Sequence, residues 1–271
     1  MDEPLFAPLS DGGRLAYTRL GDGPPLLLLR PLGGSMLSWG RFADALAERV
    51  NVIAFDARGT GCSSPAPFWT TTRSMARDAV SLLEHLGIRS AHVYGISIGG
   101  MVASWFAIDA PRRVDRLILV STLPRGTELR VGSLSWGLSM ARCFLRPPRD
   151  AEACMATRIL SREFRDGHPA DVKRIEELAR ARPASLRGII TLLAAAARHD
   201  VCARLHEITA QTLVLTGEFD PLLTLASQKE LLGHLPRASY DCLAGVGHDV
   251  SAEAPEATAA RILSFIEVCA E

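Results

Sequence analysis

Short runs in which nearly every residue is apolar recur along the chain, and between them apolar residues return every three or four positions. Val52–Asp56 (VIAFD), His92–Ile96 (HVYGI) and Leu117–Ser121 (LILVS) are of the first kind. Continuous apolar runs are what strands buried on both faces look like. The intervening helical periodicity then predicts a mostly parallel central sheet with helices on both faces, an α/β fold. Residues 15–20 and 26–30 read as an opening pair of strands, joined by a Gly21-Asp22-Gly23-Pro24-Pro25 turn. Asn51–Phe55, Ala91–Ile96 and 116–121 read as further strands, with helices over 72–86 and Ile98–Asp109.

After Leu123-Pro124 the texture changes. From about 127 to 206 the pattern is helical only, as over 151–165 and 170–182, punctuated by Pro147-Pro148, Pro169 and Pro183. Strand–helix alternation resumes with 212–216, 223–232, Ala238–Leu243 and a last helix over 255–269. This divides the chain into a core of 1–124 and 207–271 and a helical cap inserted at 125–206.

Charge changes the picture by exclusion. Thirty basic and thirty acidic residues cancel, so the chain lacks the basic balance that marks a nucleic-acid partner. No apolar run approaches the roughly 18 residues of a membrane span, and the acidic start does not resemble a signal peptide. The expected partner is a small molecule, with neither nucleic acid nor membrane, and the expected location is cytoplasmic. Cys62, Cys143, Cys154, Cys202, Cys242 and Cys269 lack paired spacing, so free thiols are expected rather than disulfides or a metal site. No organic cofactor is implied.

Candidate chemistry begins at Gly95-Ile96-Ser97-Ile98-Gly99-Gly100, where a buried strand meets a helix. A Gly-x-Ser-x-Gly turn there holds a serine hydroxyl at the sheet edge, and the flanking glycines remove Cβ conflicts. The plain alternative is a structural serine in a tight βα turn. A nucleophilic serine needs a base, and the base an orienting carboxylate. His248, in Gly245-Val246-Gly247-His248 between the last strand and the last helix, fits best of the seven histidines; its plain alternative is a solvated loop residue. Asp220, just past strand 212–216, is the carboxylate, with Glu218 as competitor, Asp249 ranked lower and helix capping as its ordinary role.

The runs Phe55–Ser63 (FDARGTGCS), Gly95–Gly100, Ala110–Leu117 and Leu213–Asp220, with Gly247-His248, together resemble the α/β-hydrolases. The look is closest to the subgroup of 3-oxoadipate enol-lactonases and cofactor-free haloperoxidases. The resemblance covers nearly all the chain outside the cap and implies the α/β-hydrolase fold. It also implies a Ser97–Asp220–His248 triad, and structural roles for Asp56 and Arg58. The backbone N–H groups of Leu32 and Ile98 are then the expected oxyanion donors. One departure stands out: where the family places His-Gly, this chain has Arg30-Pro31. Arg30 becomes a possible substrate contact, the alternative being that it pairs with a nearby acid.

The expected reaction is hydrolysis of a carboxylic ester, thioester or lactone. The same triad also serves C–C bond hydrolysis, perhydrolysis or acyl transfer, and a non-catalytic ligand-binding protein is the alternative of another class. Trp136, Met140, Phe144, Met155, Leu192 and Leu193 are candidates for an apolar lining.

Overall fold

The computed structural model describes residues 3–128 and 134–267. Among them eight strands form one sheet: β1 (Leu5–Pro8), β2 (Arg14–Leu20), β3 (Pro25–Leu29), β4 (Asn51–Phe55), β5 (Ala91–Ile96), β6 (Val114–Val120), β7 (Gln211–Gly217) and β8 (Ala238–Leu243). Their order is β1-β2-β4-β3-β5-β6-β7-β8, with β1–β2 and β2–β4 antiparallel and every other pairing parallel.

The central strands feed two cores. Leu27, Leu29, Ile53, Phe55, Val93, Leu117 and Leu119 pack on one face, against α2 (Thr72–His85), α3 (Ile98–Asp109) and α9 (Leu225–His234). Leu26, Leu28, Val52, Ala54, Tyr94, Ile96, Ile118 and Val120 alternate with them and pack on the other, against α1 (Gly40–Ala47) and α11 (Pro255–Glu267). The period of two is that of a pleated strand, and it explains why the runs are apolar without interruption. Leu26 to Leu29 are each at most 2 % exposed; burying one such side chain is worth roughly 1.5–3 kcal/mol.

Two strand expectations need correction. The predicted opening pair does not pair: β4 lies between β2 and β3, because the connection at 21–24 crosses over the end of a strand rather than closing a hairpin. Gly21, at φ +77°, passes so close to the Ala47 carbonyl that a side chain there would collide with it. Strand β1 was not anticipated at all; only Ala7 of its four residues is buried, which leaves no alternation to read.

Between β6 and β7 the chain forms α4 (Leu134–Phe144), α5 (Pro148–Arg158), α6 (Arg162–Gly167), α7 (Pro169–Ala181) and α8 (Leu186–Ala197). The helix expected over 151–165 is two helices, broken at 159–161. The expectation of free thiols fails here too. Cys143 on α4 and Cys154 on α5 form a disulfide, their Cα atoms 5.5 Å apart. A spacing of 11 residues carries no pairing signal until two helices fold back on each other. Cys62, Cys202 and Cys242 form no disulfide among the described residues, and Cys269 lies outside them. The last helix expected over 255–269 is α11, and a short helix not anticipated, α10 (Val250–Glu253), precedes it. No helix among the described residues is long and apolar enough to cross a membrane.

Candidate active site

Ser97 connects β5 to α3 with φ +56° and ψ −120°, a conformation a side chain adopts only when its surroundings enforce it. They do so through close approaches on both sides. A Cβ at Gly95 would run into the Gly99 carbonyl, one at Gly99 into the Leu29 carbonyl, and one at Gly100 into Thr122. Ser97 donates its N–H to Val120 at 2.9 Å and accepts from Thr122 Oγ1 at 2.7 Å. No side chain caps α3 at its start, so the first N–H groups of that helix stay available for negative charge.

His248 and Asp220 come from the loops that follow β8 and β7. Their Nδ1 and Oδ2 atoms lie 2.8 Å apart, and both side chains are 3 % exposed. The other Asp220 oxygen accepts the N–H groups of Leu222 and Leu223, at 2.8 and 3.1 Å. Burial opposes the charged imidazole. The charge and hydrogen bond of Asp220, helped by Asp249 and Glu253, outweigh burial and hold the His248 pKa above its ordinary value. The competing carboxylates are occupied elsewhere. Glu218 accepts the Gly245 N–H, and Asp249 caps α10 through the Ala252 N–H.

Ser97, Ile98, His248, Arg30 and Leu32 share one cavity of about 400 Å³. Its walls are mainly apolar, with Met101, Met140, Met155, Leu160, Leu178 and Leu193 prominent. Of the expected lining residues, Met140, Met155 and Leu193 reach it. Leu192 instead packs in the core under the sheet, Phe144 is exposed, and the Trp136 side chain lies outside the described residues. The N–H groups of Leu32 and Ile98 donate to no other group among the described residues. Pro31 removes its own donor and leaves that of Leu32 in place.

Arg30 lies with its guanidinium carbon 4.5 Å from the centroid of the Trp39 ring. Among the described residues no carboxylate comes within ion-pair distance, and its buried Nε has no hydrogen-bond partner. Burial pushes its pKa down, while Asp249, Tyr94, Glu152 and Asp56 pull the other way. Asp56 plays the structural part expected of it, accepting the N–H groups of Met36 and Cys62 at 2.7 and 2.8 Å.

Two acidic residues in this region carried no sequence signal. Glu152, on α5, is 3 % exposed and accepts the N–H groups of Gly34 and, at 2.6 Å, Ala184. Glu253 accepts the N–H and the hydroxyl of Ser161, at 2.9 and 2.6 Å. Away from the cavity, Cys202, Glu230 and His234 are the group of described residues with metal-ligand spacing. Cys202 Sγ and His234 Nε2 are 3.2 Å apart, and the Arg125 guanidinium already places a cation 3.7 Å from Glu230.

A strained serine at a strand–helix turn and a buried histidine–aspartate pair, at the carboxyl ends of a parallel sheet, define the hydrolase class. Residues 24–255 match the alpha/beta hydrolase fold family, and the chain belongs to it. Among curated relatives, RutD of Caulobacter vibrioides, whose name points to carbamate hydrolysis, is 30 % identical over 254 residues, 89 % of this chain and 90 % of that one. 3-Oxoadipate enol-lactonase 2 of Acinetobacter baylyi is 28 % identical over 246 residues, covering 90 % and 89 %. Among solved structures, a hydrolase from Pseudomonas aeruginosa superposes with a TM-score of 0.82 at 28 % identity, covering 97 % and 98 %.

Proposed function

We propose that this hydrolase cleaves a carboxylic ester, thioester or lactone through an acyl-enzyme on Ser97. The buried His248–Asp220 pair, opening on the same apolar cavity as Ser97, is the observation that carries the reading. Ser97 Oγ attacks the carbonyl carbon as His248 Nε2 takes its proton, and Asp220 stabilises the imidazolium. The carbonyl oxygen, now an oxyanion, is received by the N–H groups of Ile98 and Leu32. On collapse the C–O or C–S bond breaks and the leaving group takes the proton from His248. Water then adds by the same route and frees the acid.

The helices of 125–206 act as the cap in this reading. Their apolar side chains select a medium-sized, partly hydrophobic acyl or alcohol part, and Arg30 contacts its polar end. A cytoplasmic location belongs to the same reading. The Cys143–Cys154 bond tells against it, since disulfides persist mainly in oxidising compartments.

Intact-mass analysis after a fluorophosphonate probe tests the proposal, with Ser97→Ala as control. One adduct that the variant lacks supports an activated serine beside an oxyanion site. No adduct on the wild type overturns it.

A further inference from the structure

Helix α5 belongs to the insertion, yet it reaches both loops that the proposed reaction depends on. At its N-terminal half, Glu152 accepts the N–H of Gly34, two residues beyond Leu32. Just past its C-terminal end, the Ile159 carbonyl accepts the N–H of His248 at 3.0 Å. Ser161 follows, clasped by Glu253, whose carboxylate also lies against Gly247.

The loop that carries Leu32 is tied at Met36 by Asp56 and, closer to Leu32, by Glu152. Gly33 and Gly34 both sit at φ +69°, where the backbone is held only by outside contacts. Those contacts are two side chains. A Cβ on Gly33 would meet Glu152 at 3.2 Å, and one on Gly34 would meet the Arg30 guanidinium at 3.0 Å. Glu152 is therefore packed against one glycine and bonded to the next. Its second oxygen is fixed by Ala184, at the start of the segment leading into α8. The carboxylate bridges the sheet-edge loop and two parts of the insertion.

A carboxylate in this position is costly, since burial pushes the Glu152 carboxyl above the ordinary range. The two N–H bonds and the charge of Arg30 pull it back. The Arg30 charge, where the family resemblance leads one to expect His-Gly, thus offsets in part an acid that the insertion brings in.

We propose that Glu152 is a positioning residue for the oxyanion loop, so that the Leu32 N–H is aimed at the reacting carbonyl only while α5 is docked. The insertion then does more than shape the cavity: it completes the oxyanion site. The inference rests on the serine-hydrolase reading and deepens it.

The test compares wild type, Glu152→Ala and Glu152→Gln with p-nitrophenyl butyrate, active sites being titrated by the fluorophosphonate probe so that only folded enzyme is counted. Affinity is also measured for an alkyl trifluoromethyl ketone, whose adduct places an oxyanion in the hole, and for 1-octanol, which fills the apolar cavity alone. In Glu152→Ala, kcat per titrated site should fall about 10- to 100-fold, since losing one oxyanion donor costs up to about 10²–10³. KM should stay within about threefold. Ketone affinity should fall by a similar factor while octanol affinity holds. Glu152→Gln keeps the volume but presents an amide N–H₂ to one of the two donors, so it should show the same split in milder form. Unchanged kcat and ketone affinity per titrated site would overturn the proposal. So would KM and octanol affinity worsening in step with kcat, which would mark a role in cavity shape alone. If Glu152→Ala does not fold, Glu152→Gln decides by the same criteria. A wild type that neither reacts with the probe nor cleaves the ester would remove the serine reading, and this inference with it, before any variant is compared.

Discussion

Asp220 Oδ2 lies 2.8 Å from His248 Nδ1 across 28 residues of chain, and neither side chain is more than 3 % exposed. Burial by itself disfavours the imidazolium, but Asp220 outweighs it, so His248 is held above its ordinary value of 6.5. A general base must be neutral, so kcat/KM should fall on the acid side with an apparent pKa above 6.5. In Asp220→Asn the main opponent of burial is gone and only the smaller effects of Asp249 and Glu253 remain, so that limb should move to lower pH, while the plateau drops by about 10⁴. A pH–rate profile of both proteins checks this, and a limb that stays in place would count against the pairing. The same raised pKa contributes stability that is fully present below the unfolded-state value and is lost as pH rises through the folded-state one. Asp220→Asn should accordingly cost more stability in acid than at alkaline pH.

The turn around Ser97 predicts where alanine is not tolerated. Gly95→Ala and Gly99→Ala each push a Cβ into a backbone carbonyl, at Gly99 and Leu29 respectively, and a carbonyl in a packed sheet has nowhere to go. Overpacking of this kind costs about 1–3 kcal/mol. Gly167→Ala at the end of α6 meets open space and should be neutral or slightly stabilising. Urea midpoints compare the three; equal effects at all of them would show that crowding at the turn is not what these glycines relieve.

Asp56 ties two loops to the end of β4 by accepting from Met36 and Cys62. An asparagine has only one acceptor oxygen, so Asp56→Asn leaves one buried N–H without a partner. The expected loss is about 1–3 kcal/mol of stability. Turnover per titrated active site should stay close to wild type, and a large fall in it would give Asp56 a role in the chemistry.

His199 gives a separate prediction in acid. Its Nδ1 lies 2.9 Å from Thr72 Oγ1 in a buried site, and burial pushes its pKa down to about 4. Between about 4 and 6.5 the unfolded chain binds the proton more readily. Stability from this group is therefore present above pH 6.5 and lost as pH falls toward 4, by up to about 3 kcal/mol in all. His199→Gln should flatten that part of the stability–pH curve. Denaturation midpoints at pH 7 and 4.5 decide it, and the prediction fails if both proteins lose the same amount.

The central strands were readable because both of their faces are buried, which writes itself into the sequence as uninterrupted runs such as Leu26–Leu29. The Ser97 turn was readable because close backbone approach admits only glycine at fixed positions around it. Strand order was not, since nothing local to residues 14–29 states that β4 enters between β2 and β3. The break at 159–161 was equally hidden. Its backbone groups are used by His248 and Glu253, far along the chain, and its one local signal is Ser161, which caps the start of α6. Glu152 was invisible for a related reason: a glutamate on a polar helix reads as a solvent-facing residue, and only the fold shows that its carboxylate is enclosed.

The attachment of α5 to two core loops bears on how such a chain can be re-engineered. An insertion between β6 and β7 looks like an exchangeable module, because it enters and leaves at neighbouring strands and leaves the register of the sheet untouched. A graft that transferred only cavity-lining residues would change what fits, yet leave Gly34 and the His248 backbone without their acceptors. A donor helix for this scaffold therefore has to be chosen first by what it presents at the positions of Glu152, Ile159 and Ser161, and only then by the pocket it builds.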